Sequence, residues 1–464
     1  MLIRDVEIWN GGRADVRLQD GRIAQIGTLA EQPDEAVIEA QGGALLPGLH
    51  DHHIHLYALA ARAASIPCGP PEVCDAAALA RALAVPGDGW LRGIGYHESV
   101  FGGLPDAAAL DRLVPDRPLR IQHRSGRMWL LNARAIEDLL TRAAPPPGLE
   151  RQDGQWTGRL FDEDAWLQTA LGGNPPDLDA ISRQLAGYGV TGVTDMSPRN
   201  DPALAAHFAQ QRRSGALRQC CWLAGTLDLA EAAPDRWHLG PAKLHLHENA
   251  LPPFEEAVAF IVAAHRQDRA VAIHCVTEVE MVFALAALED AGVRPGDRIE
   301  HASIADADQL AHLAARGIAV VAQPHFVAER GDRYVLDVEP RHHGDLYRLA
   351  SLRAAGVTLA AGSDAPFGSG DPWAAMAAAV SRTTHGGVVI GADEALTPEQ
   401  ALALYLAAPD DLTRERRIAV GEAADLCLLD RPWAEARLRL SASDVRATWV
   451  AGQCVHERVD QPPA

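Results

Sequence analysis

Cysteine is scarce and unpatterned in this chain of 464 residues. Seven cysteines stand at 68, 74, 220, 221, 275, 427 and 454, and no two form a Cys-x-x-Cys pair. Such a set excludes a disulfide framework and reads as reduced thiols in a cytosolic compartment. Basic charge is also in deficit. The formal net charge of −20 argues against a nucleic-acid or anionic-membrane partner. No apolar run approaches membrane-spanning length, and Met1-Leu2-Ile3-Arg4-Asp5 carries charges where a signal peptide needs an apolar core. A soluble, cytoplasmic protein is therefore expected. Apolar residues, by contrast, are plentiful at 48% of the chain. The length exceeds the usual limit of about 250–300 residues for a single core, so one large domain with a smaller companion is the natural expectation.

Both ends of the chain read as short strands. Asp20-Gly21 is a tight-turn signal between Val16-Arg17-Leu18 and Ile23-Ala24-Gln25-Ile26. Asp425 to Leu429, Val445 to Val450 and Cys454-Val455 look alike at the far end. Two strand clusters too small to stand alone would share one sheet, so residues 1–46 and 412–464 are expected to form a composite β-sandwich domain. Residues 58–175 hold Pro-rich stretches and four of the ten tryptophans, and read as an insertion or lid. From Tyr188 onward, strand-like runs alternate with helical ones. The runs are 189–194, 218–223, 243–247, 270–274, 298–301, 318–321 and 357–361. Helical patterns at 278–291 and 306–316 are each followed by a glycine at the left-handed cap position, Gly292 and Gly317. With the strand that enters His53 the units number eight. The fold class is then α/β: a (β/α)8 TIM-like barrel over 47–411, interrupted by the insertion after its first strand.

Pro47-Gly48-Leu49-His50-Asp51-His52-His53-Ile54-His55 is the densest chemical signal. Alternate residues of a strand face one side, so two imidazoles so spaced can converge on one ion where the strand ends. His50/His52 and His53/His55 both meet that condition, and spacing alone does not choose between them. Active sites of such barrels lie at the C-terminal strand ends. The polar residues placed there are His53/His55, Lys243, His274, His301 and Asp364. A lone histidine at a strand end is more often structural, but this set at one barrel end favours metal ligation.

These motifs resemble the amidohydrolase superfamily, and within it amidohydrolase family 3, the branch that includes N-substituted formamide deformylases. The opening pattern lies over Pro47 to His55, and Arg298-Ile299-Glu300-His301 and Gly362-Ser363-Asp364-Ala365-Pro366 match the later signatures. Leu119 to Ile136 resembles the branch's insertion. Two departures stand out: His50 occupies a normally aliphatic position, and Ser125-Gly126-Arg127 replaces an Asp-Gly-His. The resemblance implies that His53 and His55 are the ligand pair. It also implies that Lys243, carbamylated, joins His274, His301 and Asp364 in holding one or two divalent ions. Zinc suits the nitrogen-rich set. Lys243 could instead merely pair with an acid such as Glu248, and His245/His247 could be a decoy or a substrate contact.

The implied reaction is metal-assisted hydrolysis of a non-peptide C–N bond in an amide, N-formyl or N-acyl substrate, with Asp364 as the proton shuttle. Cys275 reads as a packing thiol, with no dedicated base beside it. His97, His123, Arg127, Trp129 and His325 are the candidate substrate contacts. The insertion's aromatic residues either favour an apolar or aryl substituent or form its own core. A cyclic amide or imine-type C–N bond is the runner-up, and a catalytically dead oligomeric scaffold is a weak rival because every expected ligand type is present. The partners expected are a small-molecule amide, no nucleic acid and no membrane, with room for a homodimer.

Overall fold

The computed structural model describes residues 1–172, 175–229 and 237–458. They divide into two compact units, residues 1–58 with 177–464, and residues 59–176. The first unit contains a parallel barrel of eight strands in sequential order. They are β1 (Leu49–Ile54), β2 (Val190–Asp195), β3 (Cys220–Gly225), β4 (His238–Leu244), β5 (Val271–Cys275), β6 (Arg298–His301), β7 (Ala319–Ala322) and β8 (Leu359–Ala361). Runs such as Val271-Ala272-Ile273 and Ala319 to Ala322 are apolar and buried throughout, as strands covered on both faces must be. Backbone bonds beyond the last strand bring its two ends together. Asp364 N–H donates to the His53 carbonyl (2.6 Å) and His55 N–H to the Ala365 carbonyl (2.9 Å).

Two expectations are corrected here. The fourth strand spans His238–Leu244, not 243–247, so Lys243 lies near its end and His245 and His247 lie beyond it. Gly240-Pro241 hid the strand, because proline cannot donate to a sheet ladder. The pairing with β3 slips register across this stretch, between Leu239 and Ala242, which accommodates the proline as bulges do. The helix Glu278–Ala291 has the expected span, but Gly292 sits at φ 83°, ψ 111°, outside the left-handed helical region. Gly317 is left-handed at φ 68°, ψ 26°, ending the helix Ala307–Arg316.

Strands from both chain ends form one sheet. Ala44–Pro47 pairs in parallel with Leu2–Ile8 on one side and antiparallel with Leu426–Leu429 on the other. Ile3, Val6, Val16, Leu45, Leu428 and Trp449 share its core. Because Ala44–Pro47 runs directly into β1, the sheet anchors the start of the barrel. Asp411–Glu415 instead pairs with Ala407–Ala408, and the chain returns to the terminal sheet through a bridge between Ala423 and Arg22 and then the strand Leu426–Leu429.

The second unit is built on a six-stranded mixed sheet, from Leu149–Gln152 through Gln155–Phe161, Met128–Leu131, Leu119–His123 and Leu91–Tyr96 to Ile66–Pro67. Apolar clusters around Leu79, Ile121 and Leu130 and around Leu139, Leu160 and Trp129 give it a core of its own.

Candidate active site

Within the histidine cluster β1 is irregular. Between Val193 and Asp195 of β2, the partner residues on β1 run from Asp51 to Ile54, three steps against two. Such an extra residue re-aims the side chains that follow it. His50 and His52 remain a buried pair with ring centroids 4.5 Å apart, and His50 Nε2 lies 2.9 Å from Thr194 Oγ1. His53 and His55 instead reach the C-terminal end of the barrel. There one nitrogen of each and an oxygen of Asp364 lie within 4.8 Å of one another. His55 Nε2 is 3.0 Å and His53 Nε2 3.4 Å from Asp364 Oδ1.

The loop that carries Asp364 is held tightly against β1. A Cβ on Gly362 would stand 2.3 Å from the His53 backbone nitrogen, so only glycine fits. The Asp51 carboxylate accepts from the backbone N–H of His53 (3.1 Å) and of Ser363 (2.9 Å), and burial pushes its carboxyl up to about 6. His301, Ala302 and Asp364 all adopt positive φ, at 71°, 46° and 50°. Such strain costs of order 1–3 kcal/mol per residue and gathers at sites that use it.

Imidazoles continue around the barrel end. His301 lies 4.8 Å from His53 and 4.5 Å from His274, centroid to centroid. His245 stacks on His274 at 4.4 Å, with His247 beside it. Burial, reinforced by neighbouring positive charge, holds the imidazoles of His53, His274 and His301 well below their ordinary 6.5. They are neutral bases, the form that binds cations. Their tautomers suit the task as well. His53 Nδ1 donates to Glu300 Oε2 (2.5 Å) and His301 Nδ1 to Gln323 Oε1 (2.7 Å). Each therefore keeps the lone pair of Nε2 free, as metal-bound histidines do.

Lys243 is buried, and its Nζ has no hydrogen-bond partner among the described residues. Burial is the main cause of a lowered pKa. The alternative pairing with Glu248 is not formed. Lys243 is also the only lysine of the chain; every other Lys/Arg position is arginine. That count was readable from the sequence and singles it out more sharply than its position does. An orphaned amine among three neutral imidazoles and a carboxylate fits a divalent ion poorly as a bare lysine. It fits well once the nitrogen carries an anionic group.

The remaining candidates are placed differently. Trp129 is in the insertion's core, its Nε1 donating to Asp164 Oδ1 (2.7 Å). Arg127 makes an exposed two-pronged pair with Asp162 (both 2.8 Å). His97 and His123 flank Glu98, at 3.7 and 3.3 Å. His325 is buried, and its Nε2 donates to the Ser363 carbonyl (2.9 Å), bracing the Asp364 loop. Cys275 Sγ points to the Glu280 carbonyl (3.6 Å), and burial raises its thiol well above the ordinary value. That environment is unsuited to a nucleophile. The sequence reading assigned no role to Glu300, Gln323 or Asp51, though charged residues alternating within an apolar strand, as in Arg298-Ile299-Glu300, were a signal.

Neutral imidazoles, a carboxylate and one buried lysine at the C-terminal ends of an eight-stranded parallel barrel define a barrel hydrolase. Residues 36–456 match the model of the Amidohydrolase family, and the chain belongs to that family. It is 26% identical to N-substituted formamide deformylase from Arthrobacter pascens, over 98% of this chain and 97% of that protein. It is 24% identical to the putative amidohydrolase YtcJ from Bacillus subtilis (strain 168), over 97% and 99%. An uncharacterized metal-dependent hydrolase from Pyrococcus furiosus shares the fold, with a TM-score of 0.77 at 21% identity, over 93% of this chain and 98% of that one.

Proposed function

We propose that the protein is a metal-dependent amidohydrolase that cleaves a non-peptide C–N bond in an N-formyl or N-acyl amine. The observation that carries this reading is the convergence of His53, His55 and Asp364 at the barrel end that also holds the partnerless Nζ of Lys243. His53, His55, His274, His301 and Asp364 are the donors, with Lys243 after its neutral amine adds carbon dioxide to give a carbamate and one released proton. A divalent ion held there, zinc by the donor chemistry, supplies a water of lowered pKa and a Lewis acid for the scissile carbonyl. Asp364 takes the proton of the attacking water and hands it to the departing nitrogen, which leaves poorly unless protonated. The products are a carboxylate and an amine.

Purified protein analysed for metal and assayed on a panel of N-formyl and N-acyl amines tests the reading. Stoichiometric transition metal and chelator-sensitive hydrolysis of at least one panel member are expected. Metal-free protein whose activity ignores chelators would remove its basis. Incubation with ¹³C-bicarbonate adds a direct readout, since a single lysine can give only one lysine carbamate resonance.

A further inference from the structure

Arg298 and Glu300 lie on β6, and His52 and His53 on β1. Along the sheet four strands, β2 to β5, lie between them, and across the seam β7 and β8 do, so side chains linking them must cross the barrel interior. They do. Glu300 is fully buried and Arg298 nearly so. One Glu300 oxygen, Oε2, accepts from His53 Nδ1 at 2.5 Å, and the other, Oε1, accepts from Arg298 Nε at 2.7 Å. Arg298 Nη2 continues to the His52 carbonyl (3.2 Å) and lies 3.0 Å from Met196 Sδ. The pair thus touches the His53 ring and the backbone immediately before it. Barrel interiors are normally filled with bulky apolar side chains, and a buried charge pair is a poor source of stability. Two charges held here need another reason.

We propose that Arg298 and Glu300 form a positioning strut that fixes the tautomer and aim of His53, so that cation affinity at the barrel mouth depends on an arginine that does not reach it. The proposal rests on the metal reading given above. Glu300, acceptor only, obliges His53 to carry its proton on Nδ1, which turns the Nε2 lone pair toward Asp364. Arg298 compensates the buried carboxylate and, through the His52 carbonyl, sets how far Glu300 stands from the ring. Its rigid planar fork serves Glu300 Oε1 and the His52 carbonyl from two separate nitrogens, a fixed spacing that the single nitrogen of a lysine ammonium does not offer.

Zinc affinity of metal-stripped protein, measured by competition with a chromophoric chelator, tests the strut for wild type, Glu300→Gln, Arg298→Met and Arg298→Met/Glu300→Met. Glutamine must present its amide nitrogen to either His53 or Arg298, so one donor loses its acceptor. Each single variant should bind zinc about 10–100-fold more weakly, the usual effect of losing such a supporting partner. The double variant, which replaces both charges with similar volume, should be no worse than the singles because the two act as one unit. Singles that bind within twofold of wild type, or losses that add in the double, would overturn the strut while leaving the metal site standing. A wild type that binds no zinc would overturn both. A readout without metal or variant folding also exists. In ¹⁵N-histidine spectra of stripped wild type, the His53 ring must carry its proton on Nδ1, and finding it on Nε2 would refute the proposal.

Discussion

Asp364 is held by its neighbours in a conformation it would not choose, φ 50°, with its backbone N–H on the His53 carbonyl and its carboxylate 3.0 Å from His55 Nε2. The tasks proposed for it are charge and proton transfer, and Asp364→Asn removes both while keeping the shape. Proton shuttles contribute about 10²–10⁴-fold in rate, and kcat should fall at least that far with metal content measured alongside. Hydrolysis within a few-fold of wild type at full metal loading would end the shuttle assignment. Lys243 allows a sharper comparison of residue types. Lys243→Ala should abolish activity and leave room for a small carboxylic acid, so added acid should restore part of it. Lys243→Arg keeps length and charge but cannot lose its proton to take up carbon dioxide. It should be as inactive as the alanine variant and resist rescue, because the guanidinium fills the space. Activity retained by the arginine variant would show that a cation, not a carbamate, is what the position requires.

At the scale of elements, what was legible followed from the physics that sets each pattern. β5 and β7 are short, mostly apolar runs and β6 a short buried one, all bounded by loops, and their spans were readable almost to the residue. β4 was misplaced because Gly240-Pro241 breaks the pattern, and only pairing with β3 through a slipped register makes it a strand. The irregularity after Asp51, which re-aims His53 and His55, is likewise a property of two strands together, so one strand's spacing could not choose between the pairs. The terminal sheet offers its own pH test. Arg17 grips Glu35 through Nε and Nη2 at 2.8 and 2.9 Å, and this pairing draws the Glu35 carboxyl down from the usual 4.5 to about 2. A depressed pKa means stability that is present above the unfolded value and lost as pH falls through the folded one. Glu35→Gln should therefore lower stability to denaturant at neutral pH. Its deficit against wild type should shrink between about pH 5 and pH 2. A deficit that stays constant across that range would mean the contact acts through packing alone.

For the whole molecule, the site is assembled from strands far apart in sequence. His53 and Asp364, 3.4 Å apart, join the first strand to the loop after the last, so whatever binds both must also fasten the barrel's seam. The sequence alone pointed to these candidate ligands because polar residues concentrate at the strand ends. The supports at Glu300, Gln323 and Asp51 were less visible, since their partners appear only once the barrel closes. A ligand that binds the folded form stabilises it by RT ln(1 + [L]/Kd), about 2.7 kcal/mol at a free concentration 100-fold above Kd. Zinc restored to stripped protein at that ratio should raise the unfolding midpoint by several degrees, and excess chelator should reverse it. The gain should be local as well as global. Hydrogen exchange should slow most in β1 and in residues 362–366, where the backbone bonds between His53, His55, Asp364 and Ala365 close the barrel. A second measurement separates the seam from simple charge neutralisation: zinc added to Asp364→Asn with His53 and His55 intact. There the ion keeps its imidazoles but loses the carboxylate that ties it to the last strand. Protection should then fall away at 362–366 while persisting around His53. Equal protection of both segments in the variant, or a midpoint that zinc does not move in wild type, would show that the closing of this barrel does not depend on the ion.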